Sequence, residues 1–253
     1  MRRVAGSVLH LHRVRISNVF LLDGGPGDRW LVDTGFPLER GTLLGELRRA
    51  GIAPADLTGI VLTHRHSDHA GNARYLQERH GIRVHAHRAD AEILEGRATT
   101  PRLTRRGGSH LARVLAEIEN RFPVRLRVDR ALDDGDAIGS LEVHWVPGHT
   151  EGSVFYRHAG TRTLLSGDTL VTAVPPLIIR RGFGLPYVTF STDPARAIQS
   201  LAEFHGRGFG YENLLAGHGP PILGDARAQA LRFLEREGVL QSGTQPSMSH
   251  VSQ

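Results

Sequence analysis

The histidine and aspartate residues of this chain are grouped in a way that suits metal chemistry. Four of them fall within one hexapeptide, His64–His69, directly after a short apolar run. The others lie beside glycines or after apolar runs elsewhere, at Asp33, His149, Asp168 and His218. Apart from Asp33, these positions offer five imidazoles and two carboxylates, which exceeds the roughly four ligands of one tetrahedral zinc ion. The set suits two metal ions about 3.5–4 Å apart that share a bridging oxygen.

The hexapeptide is informative because its spacing allows it to serve two ions. His64 and His66 point to the same side of an extended chain, whereas Asp68 and His69 come after a turn and can face a neighbouring position. Imidazole and carboxylate donors together suit zinc, iron or manganese. A lone histidine or a Gly-Asp pair is more often an ordinary loop residue, so the prediction depends on the combined set.

The composition narrows the chemistry further. The chain has 253 residues, no cysteine, and arginine at all 31 of its basic positions. These absences exclude disulfides, thiolate ligands, cysteine nucleophiles and lysine Schiff bases. The net charge of +5 comes from scattered arginines, without the basic runs of about 5–8 residues that bind nucleic acid. We therefore expect no nucleic-acid partner and a small-molecule substrate, for which an anion would suit the positive field.

The distribution of apolar residues bears on location. The N-terminal segment is too short and too polar for the core of a signal peptide. No stretch approaches the ~20 apolar residues of a membrane span. We expect a cytoplasmic protein without a membrane partner, and the sequence leaves the oligomeric state open, with a dimer among the alternatives.

Short apolar runs and helical periods alternate along the chain and place the candidate ligands in loops. The sequence predicts strands over residues 8–14, 19–22, 30–32, 60–62, 82–87, 124–128, 138–146, 153–156, 163–165 and 214–215. It predicts helices over residues 38–50, 70–80, 90–94, 193–204 and 225–237. Three glycines within residues 24–28 predict a hairpin turn.

The chain is predicted to form one domain over residues 1–240, followed by a disordered tail over residues 241–253. Residues 96–123 are interpreted as an insertion over the site. The insertion contains one amphipathic helix, whose apolar positions are Leu111, Val114, Leu115 and Ile118. A Pro- and Gly-rich segment, 174–186, is a second candidate wall of the substrate pocket. Three aromatic residues are candidates either for lining that pocket or for packing: Phe183, Tyr187 and Phe190.

On the motifs given above, the chain resembles the metallo-β-lactamase fold superfamily over about residues 8–237. The resemblance implies an α+β fold, a four-layer αβ/βα sandwich. It implies that one metal ion is held by His64, His66 and His149. It implies a second ion held by Asp68, His69 and His218, with Asp168 bridging both and Asp33 orienting the histidine loop from behind. Two zinc ions per chain are the implied cofactors, with iron and manganese as alternatives.

The resemblance also implies a reaction. A metal-bound hydroxide, oriented by Asp68, would attack an ester, thioester or lactone, with Asp168 as the second catalytic carboxylate. A bridging Asp168, in a chain without cysteine or lysine, differs from true β-lactamases and is similar to glyoxalase II and the quorum-signal lactonases. Val171 stands where those lactonases carry a tyrosine. Only 35 residues follow His218, which is short for the glutathione-recognition domain of glyoxalase II.

Two other functions stay open. A single-iron oxidoreductase, similar to the persulfide dioxygenases, would use His64, His149 and Asp168 and leave the other ligands unused. A non-catalytic metal-binding protein on the same fold is the second alternative. The complete ligand set favours catalysis, because a protein without a catalytic function is free to lose ligands.

Overall fold

The computed structural model describes residues 1–103, 108–173 and 181–241, which form two large sheets and a two-stranded one. The first large sheet has seven strands in chain order: β1 (Arg2–Ala5), β2 (Val8–His10), β3 (Phe20–Asp23), β4 (Arg29–Val32), β5 (Gly59–Val61), β6 (Val84–His87) and β7 (Arg130–Leu132). Pairing is antiparallel from β1 to β4 and parallel from β4 to β7. The predicted hairpin turn at residues 24–28 joins β3 to β4 and is confirmed.

The second half of the chain forms the other two sheets. The two-stranded sheet pairs β12 (Val171–Ala173) with β13 (Arg181–Gly184). The second large sheet has the spatial order β14-β11-β10-β9-β8, with strands β8 (Ala137–Ile138), β9 (Leu141–Trp145), β10 (Val154–His158), β11 (Thr163–Gly167) and β14 (Asn213–Ala216). Only the β11–β14 pairing is parallel in this sheet.

The helices have the following bounds: α1 (Arg40–Arg49), α2 (Ser67–Ala70), α3 (Ala73–His80), α4 (Arg88–Leu94), α5 (His110–Arg121), α6 (Pro194–Gly206) and α7 (Ala226–Arg236). Short 3₁₀ turns occur at Pro37–Glu39, Pro54–Asp56, Ala159–Thr161 and Val188–Phe190. Within the described residues no helix is long and apolar enough to cross a membrane. The predicted tail beyond residue 241 and the 174–180 part of the Pro- and Gly-rich segment lie outside the described residues.

The layers follow from the period-two alternation of side chains along the strands. In β3, Phe20 and Leu22 face the second large sheet, whereas Leu21 packs with the residues of α1 and α3. In β10, Tyr156 faces the first sheet and Phe155 packs against α6 and α7. The resulting order of helices, sheet, sheet and helices confirms the predicted four-layer αβ/βα sandwich.

The candidate ligands lie at one edge of this sandwich, where several strands end. Asp33 directly follows β4, His64 lies three residues after β5, Asp168 directly follows β11, and His218 lies two residues after β14. The carboxyl ends of neighbouring parallel strands share an edge, and loops at that edge are where open α/β sheets bind ligands. The fold therefore collects residues that are far apart in the sequence.

The predicted strand over residues 124–128 is wrong. Leu126 donates its N–H to Leu94 O (3.0 Å), and Val128 donates to the carboxylate of Glu95 (3.0 Å). A side chain thus occupies the backbone donor that a sheet ladder would need, and β7 begins later, at Arg130. The predicted strand over residues 138–146 is also divided, because a turn at Gly139 separates β8 from β9.

The insertion helix α5 forms, but its apolar stripe is not covered. Leu111, Val114, Leu115 and Ile118 are 37–48% exposed, whereas Ala112, Ala116 and Glu119 are buried. The small alanine side chains let the helix approach its neighbours closely. Glu119 accepts a hydrogen bond from the backbone N–H of Ser67, which lies in the loop of residues 64–69, here called the ligand loop. The buried face of α5 is therefore the one with the small side chains and Glu119.

Candidate metal centre

The seven predicted ligands converge in two adjoining groups. Within each group, one donor atom per residue lies within 4.8 Å of all the others. The first group consists of His64, His66 and His149, and the second of Asp68, His69, Asp168 and His218. Asp168 lies between the groups, because its Oδ2 is 3.1 Å from His218 Nε2 and 3.8 Å from His149 Nε2. The arrangement suits the bridging role that the resemblance implies for Asp168.

The side chains of the ligand loop enter both groups because the backbone changes from extended to helical after His66. His66 is extended (φ −62°, ψ 152°) and precedes the single helical turn of α2. Side chains before that turn, His64 and His66, enter the first group. Side chains within it, Asp68 and His69, enter the second, as the sequence pattern predicts.

Several buried nitrogen and oxygen atoms of the cluster have no hydrogen-bond partner. Among the described residues, these include the Nε2 atoms of His64, His66, His69 and His149, together with Asp168 Oδ1. Buried polar atoms in proteins are nearly always hydrogen-bonded, so a convergent set without partners is unusual. Lone pairs of imidazole nitrogen and carboxylate oxygen pointing at one place suit a divalent zinc, iron or manganese ion. The donor set therefore fits the predicted cofactors.

Asp33 organises the imidazoles of the ligand loop from behind. Its carboxylate accepts hydrogen bonds from the N–H of Thr63 (2.8 Å), the hydroxyl of Thr63 (2.7 Å) and Nδ1 of His69 (2.8 Å). Since the Thr63 hydroxyl donates to Asp33, it accepts from Nδ1–H of His64 (3.0 Å). Protons on both Nδ1 atoms leave the Nε2 lone pairs free for a metal.

Ser191 plays the same part for His149. The Ser191 hydroxyl donates to Tyr187 O (3.0 Å) and so accepts from Nδ1–H of His149 (3.2 Å). It comes directly after the 3₁₀ turn Val188–Phe190, which places this segment against the ligands. A serine in an irregular loop gives no sequence signal of such a role, and sequence reasoning missed it.

Burial and charge divide the histidines of the cluster into two classes. Burial lowers the pKa of His64 and His66 well below the usual value and that of His149 to about 4, which keeps these imidazoles neutral. Burial also opposes the charging of His218, but the carboxylates of Asp168 and Asp68 outweigh it and raise its pKa to about 10. A bound cation can balance the charge of these two carboxylates in place of the protonated His218.

The insertion helix α5 lies against the ligand loop. The backbone N–H of Ser67 points at both carboxylate oxygens of Glu119, at 3.2 and 3.3 Å. Burial raises the pKa of Glu119 to about 7.

Of the candidate pocket aromatics, Phe183 stacks on Phe233 at 5.6 Å and belongs to the packing of α7. Tyr187 and Phe190 stack on each other at 5.8 Å and stay candidates for lining the pocket.

Gly217 lies against the cluster so closely that no side chain fits. A Cβ there would overlap Asp168 Oδ1 and lie 2.7 Å from Cε1 of His69. We expect Gly217→Ala to displace both ligands and to weaken metal binding by about 10–100-fold, as when the support of a ligand is lost. Elemental analysis of the purified variant would measure the loss. Gly41→Ala is the matched control, because a Cβ at Gly41 meets no atom within 4 Å. Full metal content in Gly217→Ala would show that the close approach of Gly217 to Asp168 and His69 is not needed for metal binding.

Comparison with known proteins agrees with this architecture. Residues 12–224 match the family model of the metallo-β-lactamase superfamily. The probable metallo-hydrolase YflN of Bacillus subtilis is 27% identical over 231 residues, 87% of each chain. A hydroxyacylglutathione hydrolase of Pseudomonas paraeruginosa is 33% identical over 122 residues, 46% of this chain and 34% of the relative. The crystal structure of a metallo-β-lactamase family protein from Thermus thermophilus matches with a TM-score of 0.64 and 26% identity, covering 92% of this chain and 79% of that one. The chain belongs to the metallo-β-lactamase superfamily.

Proposed function

We propose that this chain is a dinuclear metal-dependent hydrolase that cleaves an ester, thioester or lactone of a small molecule. Membership of the superfamily and a relative named as a metallo-hydrolase support metal-dependent hydrolysis in general. The observation that carries the proposal is the convergence near Asp168 of buried imidazole nitrogens without hydrogen-bond partners, from His64, His66 and His149 in one group and from His69 in the other. Seven candidate ligands, Asp168 included, are more than a single ion uses.

In this proposal each ligand has a defined place. His64, His66 and His149 hold one ion, and Asp68, His69 and His218 hold the other, with Asp168 shared. Two zinc ions are the expected occupants, and ions in such a site lower the pKa of water and polarise the carbonyl under attack. Asp33, Thr63 and Ser191 keep three of the imidazoles in the tautomer that presents Nε2.

Asp68 is the group of the cluster best placed to handle the attacking water. Its side chain is 24% exposed, against 11% for Asp168, so it is the more accessible carboxylate of the cluster. One of its oxygens, Oδ2, lies 3.2 Å from His218 Nε2. In this proposal the other oxygen accepts a hydrogen bond from the attacking water and so orients the nucleophile.

The substrate class rests on two supports. Asp168 distinguishes the site from those of true β-lactamases and is similar to the aspartate of the acyl-cleaving branches. One relative is named for hydrolysis of hydroxyacylglutathione, although the match covers 34% of its length. Together these support an acyl compound with an electrophilic carbonyl as the substrate.

Metal content and hydrolysis test the proposal together. Protein purified without added metal is analysed by elemental analysis beside His66→Ala and the control His80→Ala, whose histidine is exposed and outside the cluster. We expect about two zinc ions per chain, fewer in His66→Ala, and hydrolysis in an ester, thioester and lactone panel that a chelator abolishes. About one iron with oxygen uptake on a persulfide would favour the oxidoreductase. Two metals without hydrolysis would favour a binding protein, and no metal would overturn the proposal.

A further inference from the structure

Asp90 joins the two loops that carry the three-histidine group. It lies in the first turn of α4 and is completely buried. Its carboxylate accepts hydrogen bonds from the N–H of Arg65 (2.9 Å), the hydroxyl of Thr150 (2.8 Å) and the N–H of Gly152 (2.8 Å). Arg65 stands between two ligands of the first loop, whereas Thr150 and Gly152 follow His149 in the second. One side chain therefore binds both loops directly behind the ligands.

Arg65 completes this connection with its side chain. The guanidinium is buried, and its Nη2 lies 3.1 Å from the Glu151 carboxylate while its Nε lies 3.7 Å from Asp90 Oδ1. His64 and His66 point into the cluster, and Arg65, between them, points the other way, toward the His149 loop. Burial raises the pKa of Asp90 to about 6 even though Arg65 opposes the shift, so the carboxylate is mostly ionised at neutral pH.

Two further hydrogen bonds connect these loops at the ends of the strands that carry them. Val154 donates its N–H to Thr63 O (2.9 Å), and Tyr156 donates its hydroxyl to Leu62 O (2.9 Å). These bonds hold the strand ends of the two sheets together. Asp90 adds a connection at Arg65 and Thr150, each of which is next to a histidine of the first group.

We propose that Asp90, assisted by Arg65, is a positioning residue that holds the loops of His64, His66 and His149 at metal-binding separation. The inference rests on the proposed function, since it assigns Asp90 to one of the two metal sites. Its consequence is selective. The first group needs both loops, whereas the second group takes no ligand from the His149 loop.

An aspartate is required because it accepts toward both loops at once. One oxygen, Oδ2, accepts from the Arg65 N–H and the Thr150 hydroxyl, and the other, Oδ1, accepts from the Gly152 N–H. An asparagine has one acceptor oxygen, so its NH₂ group would face a backbone N–H of one loop or the other. With the amide oxygen in the Oδ2 position, Asp90→Asn keeps Arg65 and Thr150 but turns its NH₂ group toward the Gly152 N–H; with the oxygen in the Oδ1 position, the NH₂ group faces the Arg65 N–H and the bond to the first loop is lost. In either orientation the variant keeps the shape of the side chain but places one N–H against another behind the ligands.

The test is the metal affinity of the folded protein, measured by competition of zinc against a chromogenic chelator. Outer ligand supports are worth about 10–100-fold in metal affinity. We expect Asp90→Asn to weaken one of the two bound zinc ions by that factor and to leave the other unchanged. Asp133→Asn is the control. It removes an exposed ion pair with Arg88, which lies in α4 as Asp90 does.

Thr150 supplies a milder variant that separates positioning from folding. Thr150→Val removes the hydroxyl that binds Asp90, and Thr150→Ser restores it. We expect a selective loss of one zinc in the valine variant and its recovery in the serine variant. The inference would be overturned if Asp90→Asn and Thr150→Val bound both zinc ions as tightly as the wild type does. It would also be overturned if the two variants lowered only the unfolding temperature. If Asp90→Asn does not fold, the Thr150 pair decides. Wild-type protein that binds no zinc would instead defeat the proposed function.

Discussion

Asp168→Asn is expected to remove most of the hydrolytic activity and about one of the two metal ions. The carboxylate presents Oδ1 to His69 (3.3 Å) and Oδ2 to His149 and His218 (3.8 and 3.1 Å), so both of its oxygens serve the cluster. An asparagine offers one oxygen and no charge, and its NH₂ group cannot bind a cation. Charge stabilisation by a catalytic metal is worth several kcal/mol, so we expect kcat/KM to fall by about 10²–10⁴-fold.

The measurement pairs steady-state hydrolysis with elemental analysis on the same samples. Asp225→Asn is the matched control, because Asp225 is exposed and forms an ion pair with Arg232 outside the site. We expect this control to keep both metals and full activity. An Asp168→Asn enzyme with two metals and wild-type activity would show that the carboxylate does not connect the two groups.

The convergence of the candidate ligands could be predicted from the sequence because most of them lie shortly after a strand. A buried strand such as β5 is visible as an apolar β-branched run, and the residues directly after such a strand must lie at the sheet edge. The four-layer sandwich was expected from the family resemblance, and the structure shows its basis in strands such as β3, where Leu21 and Leu22 pack on opposite faces.

The residues that support the ligands could not be predicted in this way. Asp90 acts on residues 25 and 62 positions away, and Ser191 acts on a histidine 42 positions away. In the sequence, Asp90 is indistinguishable from an ordinary acidic residue in the first turn of a helix. Only the fold brings these acceptors to the loops, so their role depends on tertiary geometry that the local sequence does not contain.

The stripe of α5 shows a different limit. Helical periodicity correctly predicted the helix from Leu111, Val114, Leu115 and Ile118, but it cannot tell which side is covered. The covered side is set by close approach at Ala112 and Ala116 and by the hydrogen bond to Glu119. An amphipathic pattern predicts a helix more securely than it predicts the packed face.

Asp33→Asn is expected to weaken both metal sites and the fold. The carboxylate is buried, sits on a backbone with φ +60°, and accepts three hydrogen bonds from Thr63 and His69. If the asparagine oxygen faces His69, its NH₂ group opposes the Thr63 N–H. If it faces Thr63 N–H, the NH₂ group drives a proton from Nδ1 to Nε2 of His69 and blocks that ligand. We expect about 1–3 kcal/mol of lost stability and about 10–100-fold weaker metal binding.

Thr63 separates the two consequences of the Asp33 substitution. The Thr63 hydroxyl links Asp33 to His64, a ligand of the first group, whereas His69 belongs to the second and contacts Asp33 directly. Thr63→Val should therefore weaken the first site only, Thr63→Ser should restore it, and Asp33→Asn should weaken both. Zinc competition and urea unfolding of the metal-free variants would distinguish these patterns. If all three variants bound zinc as tightly as the wild type, the imidazoles would be held by the packing of their loop and not by Asp33.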